Sequence, residues 1–228
     1  MKKILTFSYD DAVSQDIRLI ELFNKYGMKA TFNLNSGNLG IKGKVTYKGH
    51  EATHNKVEAA DLRSIYEGHE VASHTVNHPK LPDISSEAEI IRQVEEDRLR
   101  LSELCGYEVV GFAYPCGGKN YDSRVSEILR RSTGVKYCRT IETNGSFALQ
   151  ENLYEFKPSV YHLCWDEMFS LGEKFIEAVP EEKQIFYVWG HSYEFDFENT
   201  WDRFEQFLKM MSGRSDIAYL TNKEALLF

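Results

Sequence analysis

The chain has 228 residues, 42% hydrophobic and 27% charged, with a formal net charge of -8 at pH 7. That length fits one large domain or two small ones, and the composition is that of a soluble globular protein with apolar mass for a sizeable core. The acidic balance argues against a duplex-binding protein, because phosphate neutralisation needs a basic face; neutral sugars and small polar substrates stay open.

In chain order, residues 4–8 read as a strand. Residues 16–26 follow as a helix, with Ile17, Ile20 and Phe23 at helical spacing and Gly27 as the stop. Residues 29–34 are the next strand, 58–67 a helix closed by Gly68, and 70–73 a short strand. Ser86-Glu87-Ala88-Glu89 has the capping-box form and opens a long helix to about Cys105, where Gly106 ends it. Residues 109–114 are again a strand and 122–132 a helix before Gly134. Strands are predicted at 135–139, 155–161, 184–189 and 217–220, and helices at 167–178 and 201–211. Alternating strands and helices imply βα units and a mainly parallel sheet. Seven or so such units in one chain of this size imply closure into a barrel, with residues 1–228 as a single domain. Residues 35–55 break the rhythm: they are rich in Gly and Lys and longer than most connections. Val45-Thr46-Tyr47-Lys48-Gly49 inside them reads as a hairpin arm, and the whole excursion as a substrate wall or lid.

The apolar start ends at Ser8-Tyr9-Asp10-Asp11, short of the about 7–15 residues of a signal-peptide core. No segment approaches the roughly 18 apolar residues of a membrane span, so a cytoplasmic location without membrane contact is expected. Cys105, Cys116, Cys138 and Cys164 lack Cys-x-x-Cys spacing, and free thiols are expected rather than a disulfide framework.

Asp10-Asp11 directly follows the first predicted strand. Adjacent carboxylates raise each other's pKa unless a cation lies between them, and the C-terminal ends of barrel strands form the catalytic face. His74 and His78 follow the strand at 70–73 in the same way. They are four residues apart without the glutamate of His-Glu-x-x-His, so the metalloprotease reading fails. Two imidazoles and a carboxylate make the three-ligand set of an open zinc site, although iron, cobalt, nickel or manganese also suits such donors. His191, at a third strand end, is a candidate general acid. Tyr114-Pro115-Cys116-Gly117-Gly118 forces a turn whose backbone N–H groups can face an oxyanion; Cys116 as a nucleophile would need a base. His50 and His54 on the long excursion are the best spare ligands.

Taken together these residues resemble the polysaccharide deacetylase family with the NodB-homology domain (carbohydrate esterase family four). The family's Thr-Phe-Asp-Asp-Gly matches Ser8-Tyr9-Asp10-Asp11-Ala12, and its His-Ser/Thr-x-x-His matches His74 to His78. Its Arg-x-Pro-Tyr-Gly is met by Ala113-Tyr114-Pro115-Cys116-Gly117, and its Leu-x-Leu-His by Val188-Trp189-Gly190-His191. The resemblance implies an α/β fold, a distorted (β/α) barrel of about seven parallel strands, and hydrolysis of an N- or O-acetyl group on a sugar. It implies a divalent ion, zinc foremost, on Asp11, His74 and His78, with Asp10 as base. It further implies the Cys116 N–H at the oxyanion, His191 as acid, and Tyr114, Pro115, Arg139 and Trp189 at the substrate. The family's third-motif arginine is Ala113 here, and Arg139 on the next strand can reach in from another direction. The family's Asp-x-x-Asp-Trp motif is absent, and Glu194 is placed to orient His191. An allantoinase-like amidohydrolase acting on a small amide, and a catalytically silent glycan-binding barrel, are the alternatives.

Overall fold

All eight residues of the first strand, β1 (Lys3–Asp10), are buried in the computed structural model, which describes residues 1–227. A strand covered on both faces is what a parallel sheet between helices requires. The chain continues through α1 (Asp16–Lys25), β2 (Thr31–Leu34), β3 (Lys44–Tyr47), β4 (His50–Thr53), α2 (Leu62–Ile65) and β5 (Glu70–Ser73). Next come α3 (Glu87–Ile91), a π-helical turn (Arg92–Glu96), α4 (Asp97–Cys105), β6 (Gly111–Ala113), α5 (Ser123–Ser132), β7 (Tyr137–Arg139) and β8 (Val160–Tyr161). The chain ends with α6 (Trp165–Glu177), β9 (Gln184–Gly190), α7 (Glu194–Phe197), α8 (Trp201–Met211), β10 (Ile217–Tyr219) and α9 (Asn222–Leu226). No helix among the described residues is long and apolar enough to cross a membrane.

The strands lie in the order β7-β6-β5-β2-β1-β9-β8, all parallel, with β10 beside the first residues of β1. The sheet curls into the expected distorted barrel of about seven parallel strands. Its closure explains the distortion. The strand predicted at 155–161 survives only as the two residues of β8. Pro158, which has no N–H to donate, interrupts it. Before the proline, Phe156 N–H donates to Cys138 O at 3.0 Å and Phe156 O accepts from Thr140 N–H at 2.9 Å. After it, Ser159 N–H donates to Tyr187 O at 2.8 Å and His162 N–H to Trp189 O at 2.9 Å. One extended segment therefore bonds to β7 at its start and to β9 at its end.

Phe7, Phe23, Phe32, Phe186, Phe204 and Phe207 form the main core between the sheet and the helices α1, α6 and α8. The predicted helices are present, with α2 shortened to one turn after a 3₁₀ turn at Ala59–Asp61. Two further helices, α7 and α9, were not expected. The signal for α9 is in the sequence: Thr221 and Glu224 form a complete capping box at its start.

The register sets the site. Asp10 lies beside Asn33, Leu34 beside Ser73, Ser73 beside Phe112, Ala113 beside Arg139, and Tyr9 beside Gly190. The strand ends carrying Asp10, His74, Tyr114, Arg139 and His191 therefore meet at one rim. The 35–55 excursion rises from this rim as the antiparallel hairpin β3–β4. Its two-residue turn has positive φ at Lys48 (49°) and Gly49 (85°), the type that matches strand twist. The hairpin packs against α7, where Gln15 Nε2 donates to both Thr53 O (2.8 Å) and Asp196 Oδ2 (2.8 Å).

Candidate active site

Asp10 is the last residue of β1 and is 2% exposed. Arg139, fully buried at the end of β7, donates from Nη2 to both carboxylate oxygens of Asp10 at 2.7 and 2.5 Å. Asn33 Nδ2 adds a third donor at 2.7 Å. Burial alone would raise the pKa of Asp10, but Arg139, then His74 and His191, outweigh it and hold the carboxyl below its ordinary value. Asp10 is therefore an anion at neutral pH. Arg139 also stacks 4.6 Å from the centre of the Trp189 ring.

Asp11 leaves the strand with φ 87°, and its carboxylate faces His54, Lys56 and His78 where that of Asp10 faces Arg139 and Asn33. It meets His74 and His78, and one donor atom from each of the three lies within 4.8 Å of the other two. His74 Nδ1 donates to Ala113 O at 2.8 Å, leaving Nε2 as the ring's free nitrogen. Burial pushes the pKa of His74 down to about 4, so the ring is neutral and can ligate. The same burial lowers His78. For Asp11, burial is outweighed by the hydrogen bond from His54, then by Lys56, and the carboxyl sits well below its usual range. One ionised carboxylate and two neutral imidazoles, converging in a buried rim, fit a divalent ion.

The support for these three residues is where sequence reasoning stopped short. Lys56 Nζ donates to Asp11 O at 2.6 Å and stands 3.6 Å from Oδ1, while His54 Nε2 lies 3.4 Å from Oδ2. Both arrive on the return of the excursion, which is stitched to residues 12–14 by Val57 N–H to Ala12 O (2.8 Å) and Ser14 N–H to Asn55 O (2.7 Å). On the other side, the π turn holds the histidine loop. Val76 N–H donates to Gln93 O at 2.9 Å and Asn77 N–H to Gln93 Oε1 at 3.2 Å. Asp97 accepts from Ser73 Oγ at 2.6 Å and His74 N–H at 3.2 Å. Of the seven non-glycine residues with positive φ, Asp11, His78 and Cys116 line this rim and Ala12 and Thr75 lie in the same loops. Such strain persists only where the surroundings over-determine it. Because partners of metal-binding side chains tune affinity by about 10–100-fold, His54→Ala is expected to weaken ion binding by about that factor. Competition with a chromophoric chelator measures it, and unchanged affinity would remove His54 from this role.

His191 follows β9 and points Nε2 at Asp10 Oδ2 from 3.9 Å. Glu194, one turn on, accepts from the His191 backbone N–H at 3.0 Å and forms an ion pair with Nδ1 at 3.2 Å. Burial would lower the pKa of His191, but Glu194, then Asp10 and Asp11, raise it to about 9. The ring is thus protonated opposite an ionised Asp10. Glu194 also takes the Nε2 of buried His162 at 2.7 Å and the hydroxyl of Tyr161. Gly190 is required here, since a Cβ on it would stand 2.3 Å from His162 Cδ2.

Cys116 sits on the turn after Tyr114 with φ 71°, and its backbone N–H has no protein acceptor among the described residues. Its Sγ lies 3.7 Å from His78 Nδ1, but burial raises the thiol pKa, which disfavours the thiolate. The cavity at this rim is about 270 Å³, and Tyr114, Cys116, Gly117, Ile141, Trp189 and Tyr193 complete its wall. Trp189 Nε1 is buried without a partner. Tyr114 turns its hydroxyl away to Tyr154 O at 2.9 Å. Pro115 is outside the lining, and Arg139 lies beneath it as the partner of Asp10. Ile141 and Tyr193 were not foreseen, and nothing local in the sequence marks Ile141. Of the spare histidines, His54 reaches Asp11, whereas His50 lines a separate cleft.

The parallel barrel gathers its carboxylates and histidines on one rim, at the C-terminal ends of the strands. The chain belongs to the polysaccharide deacetylase family, whose profile matches residues 1–137. No curated protein matches it. Several solved structures share the fold. An acetyl xylan esterase of family 4 from Clostridium thermocellum, in complex with a cobalt ion, superposes with a TM-score of 0.58 at 16% identity, covering 99% of this chain and 91% of that one. A family 4 pseudoenzyme from Bacillus anthracis gives 0.57 at 18% identity, over 99% and 66% of the respective chains. A deacetylase from Streptococcus pyogenes in complex with acetate gives 0.53 at 20%, over 63% and 58%.

Proposed function

We propose that the protein hydrolyses an acetyl group from an N- or O-acetylated carbohydrate. The observation that carries this reading is the opposition of an ionised Asp10 and a protonated His191, 3.9 Å apart, beside the Asp11–His74–His78 cluster. Asp11, His74 and His78 would hold the divalent ion, with zinc the first choice among zinc, cobalt, nickel, iron and manganese. When bound, such an ion polarises a carbonyl and brings the pKa of water to about 7. Asp10, fixed by Arg139 and Asn33, takes the proton of the attacking water. The free Cys116 N–H donates to the oxyanion. His191 delivers its Nε2 proton to the departing amine or alkoxide, and Glu194 holds the ring in place for that transfer. A silent glycan-binding barrel has no use for a base and an acid opposed in this way.

The test joins metal analysis to acetate release. Protein stripped with chelator should release no acetate, and restoring zinc or cobalt should restore release from a panel of N- and O-acetylated sugars. The rate should rise with pH as Asp10 loses its proton and fall again near pH 9 as His191 loses its own. No bound ion, or no acetate from any sugar, would sink the reading. Turnover of small ureides instead would turn it toward an amidohydrolase.

A further inference from the structure

We infer that His162 is a positioning residue for His191: kept in one tautomer by the Tyr9 hydroxyl, it donates to Glu194 and holds that carboxylate against the His191 ring. The role of His191 as acid rests on the deacetylase reading; the place of His162 behind it rests on the geometry of this chain. The His162 ring, directly after β8, is fully buried, and its Nε2 lies 2.7 Å from Glu194 Oε2. Burial would raise the pKa of Glu194, but His191, then His162, outweigh it and keep the carboxyl ionised. An ionised carboxylate only accepts, so the Nε2 of His162 carries a proton. Burial also holds the pKa of His162 below its ordinary value, against the pull of Glu194, so the ring is neutral and has one N–H. Its Nδ1, 3.4 Å from the Tyr9 oxygen, therefore accepts from that hydroxyl.

These bonds form one line of groups from β1 to His191. Glu194 stands on α7, a helix of four residues, too short to fix a carboxylate by itself. Its side-chain donors Tyr161 and His162 come instead from the β8 edge, which the His162 N–H pins to Trp189 O at 2.9 Å. Successive side chains of a strand point to opposite faces. Tyr9 accordingly lies in the main core while Asp10 lines the rim cavity, so the strand that presents the base also supports the acid from behind. Packing alone does not call for a histidine here. The ring stands 5.5 Å from Tyr9, 5.1 Å from Tyr161 and 4.5 Å from Phe195, centre to centre. A phenylalanine would fill such an aromatic setting with no polar nitrogens to desolvate.

A leaving group that needs no proton separates positioning from a structural role. The phenolate of para-nitrophenyl acetate departs unaided, whereas a sugar alkoxide or amine needs the proton of His191. In His162→Phe, kcat for acetate release from an acetylated sugar, divided by kcat for para-nitrophenyl acetate, should fall about tenfold. That is a part of the about 10²–10⁴-fold a positioned acid supplies, and KM for the sugar should not change. His162→Gln, whose side-chain amide replaces the Nε2 donor, should restore most of the ratio. Nitrogen NMR spectra of the histidine rings at neutral pH should place the His162 proton on Nε2. They should also show a His191 Nδ1 proton shielded from exchange with water, and His162→Phe should expose it. If both substrates slow alike, if His162→Gln is as impaired as His162→Phe, or if His162 carries its proton on Nδ1, the positioning role is overturned and the deacetylase reading stands. The wild-type spectrum decides even where His162→Phe does not fold. If the spectra are as expected but no sugar releases acetate, the positioning of His191 stands and the deacetylase reading falls.

Discussion

Asp10→Asn is expected to lower acetate release by about 10²–10⁴-fold, the usual contribution of a positioned base, with ion binding retained. The substitution keeps the shape and one acceptor oxygen for Arg139 and Asn33, whose bonds to Asp10 are 2.5–2.7 Å. What it removes is the basic oxygen nearest His191 and His74, at 3.9 and 4.0 Å. Asp11, held by partners of its own, still faces His78 Nε2 at 3.7 Å, so the donor cluster stays intact. Steady-state acetate assays with metal analysis on the same sample decide the matter. Activity within a few-fold of wild type would remove Asp10 as base, and loss of the ion along with activity would make it a ligand instead.

Arg139→Met is expected to cost about 3–5 kcal/mol of stability, the range for removing one partner of a buried ion pair. Both side chains are 2% exposed or less, so neither charge has water to fall back on. Because Arg139 is the chief influence holding Asp10 below its ordinary pKa against burial, its loss should also shift the acid limb of the rate profile to higher pH. The direction of the stability effect follows from the same shift. A carboxyl with a depressed folded pKa contributes stability above its unfolded value of about 3.9, and that contribution disappears as pH falls through the folded value. The deficit of the variant should therefore be larger at pH 7 than below about pH 4. Urea unfolding at both pH values measures it. A deficit that does not depend on pH would show that Arg139 acts by packing alone, over Trp189, and not through the charge of Asp10.

Much of the rim was legible because its key residues sit in short runs. Asp10-Asp11 and His74 to His78 each follow a strand directly, so chain position alone placed them on the same face. Arg139 could be offered only as a candidate, since 129 positions separate it from Asp10. The pairing depends on β7 ending level with Ala113 of β6. His54 and Lys56 were harder still. Nothing in a Gly- and Lys-containing excursion shows that its return strand will be bonded to residues 12–14 and aimed at Asp11.

The amino-acid sequence by itself determined the alternation of strands and helices, the barrel class, and which strand ends carry acids and imidazoles. These are local matters of periodicity, caps and turns, set within a few residues of one another. The tertiary structure decided the partners: Arg139 under Asp10, Glu194 behind His191, and the hairpin against Asp11 and α7. It also decided that the predicted strand at 155–161 would be divided between two edges of the sheet. Those outcomes depend on sheet curl and strand register. Both are settled by side chains packing across long stretches of chain, and no short window of sequence contains them.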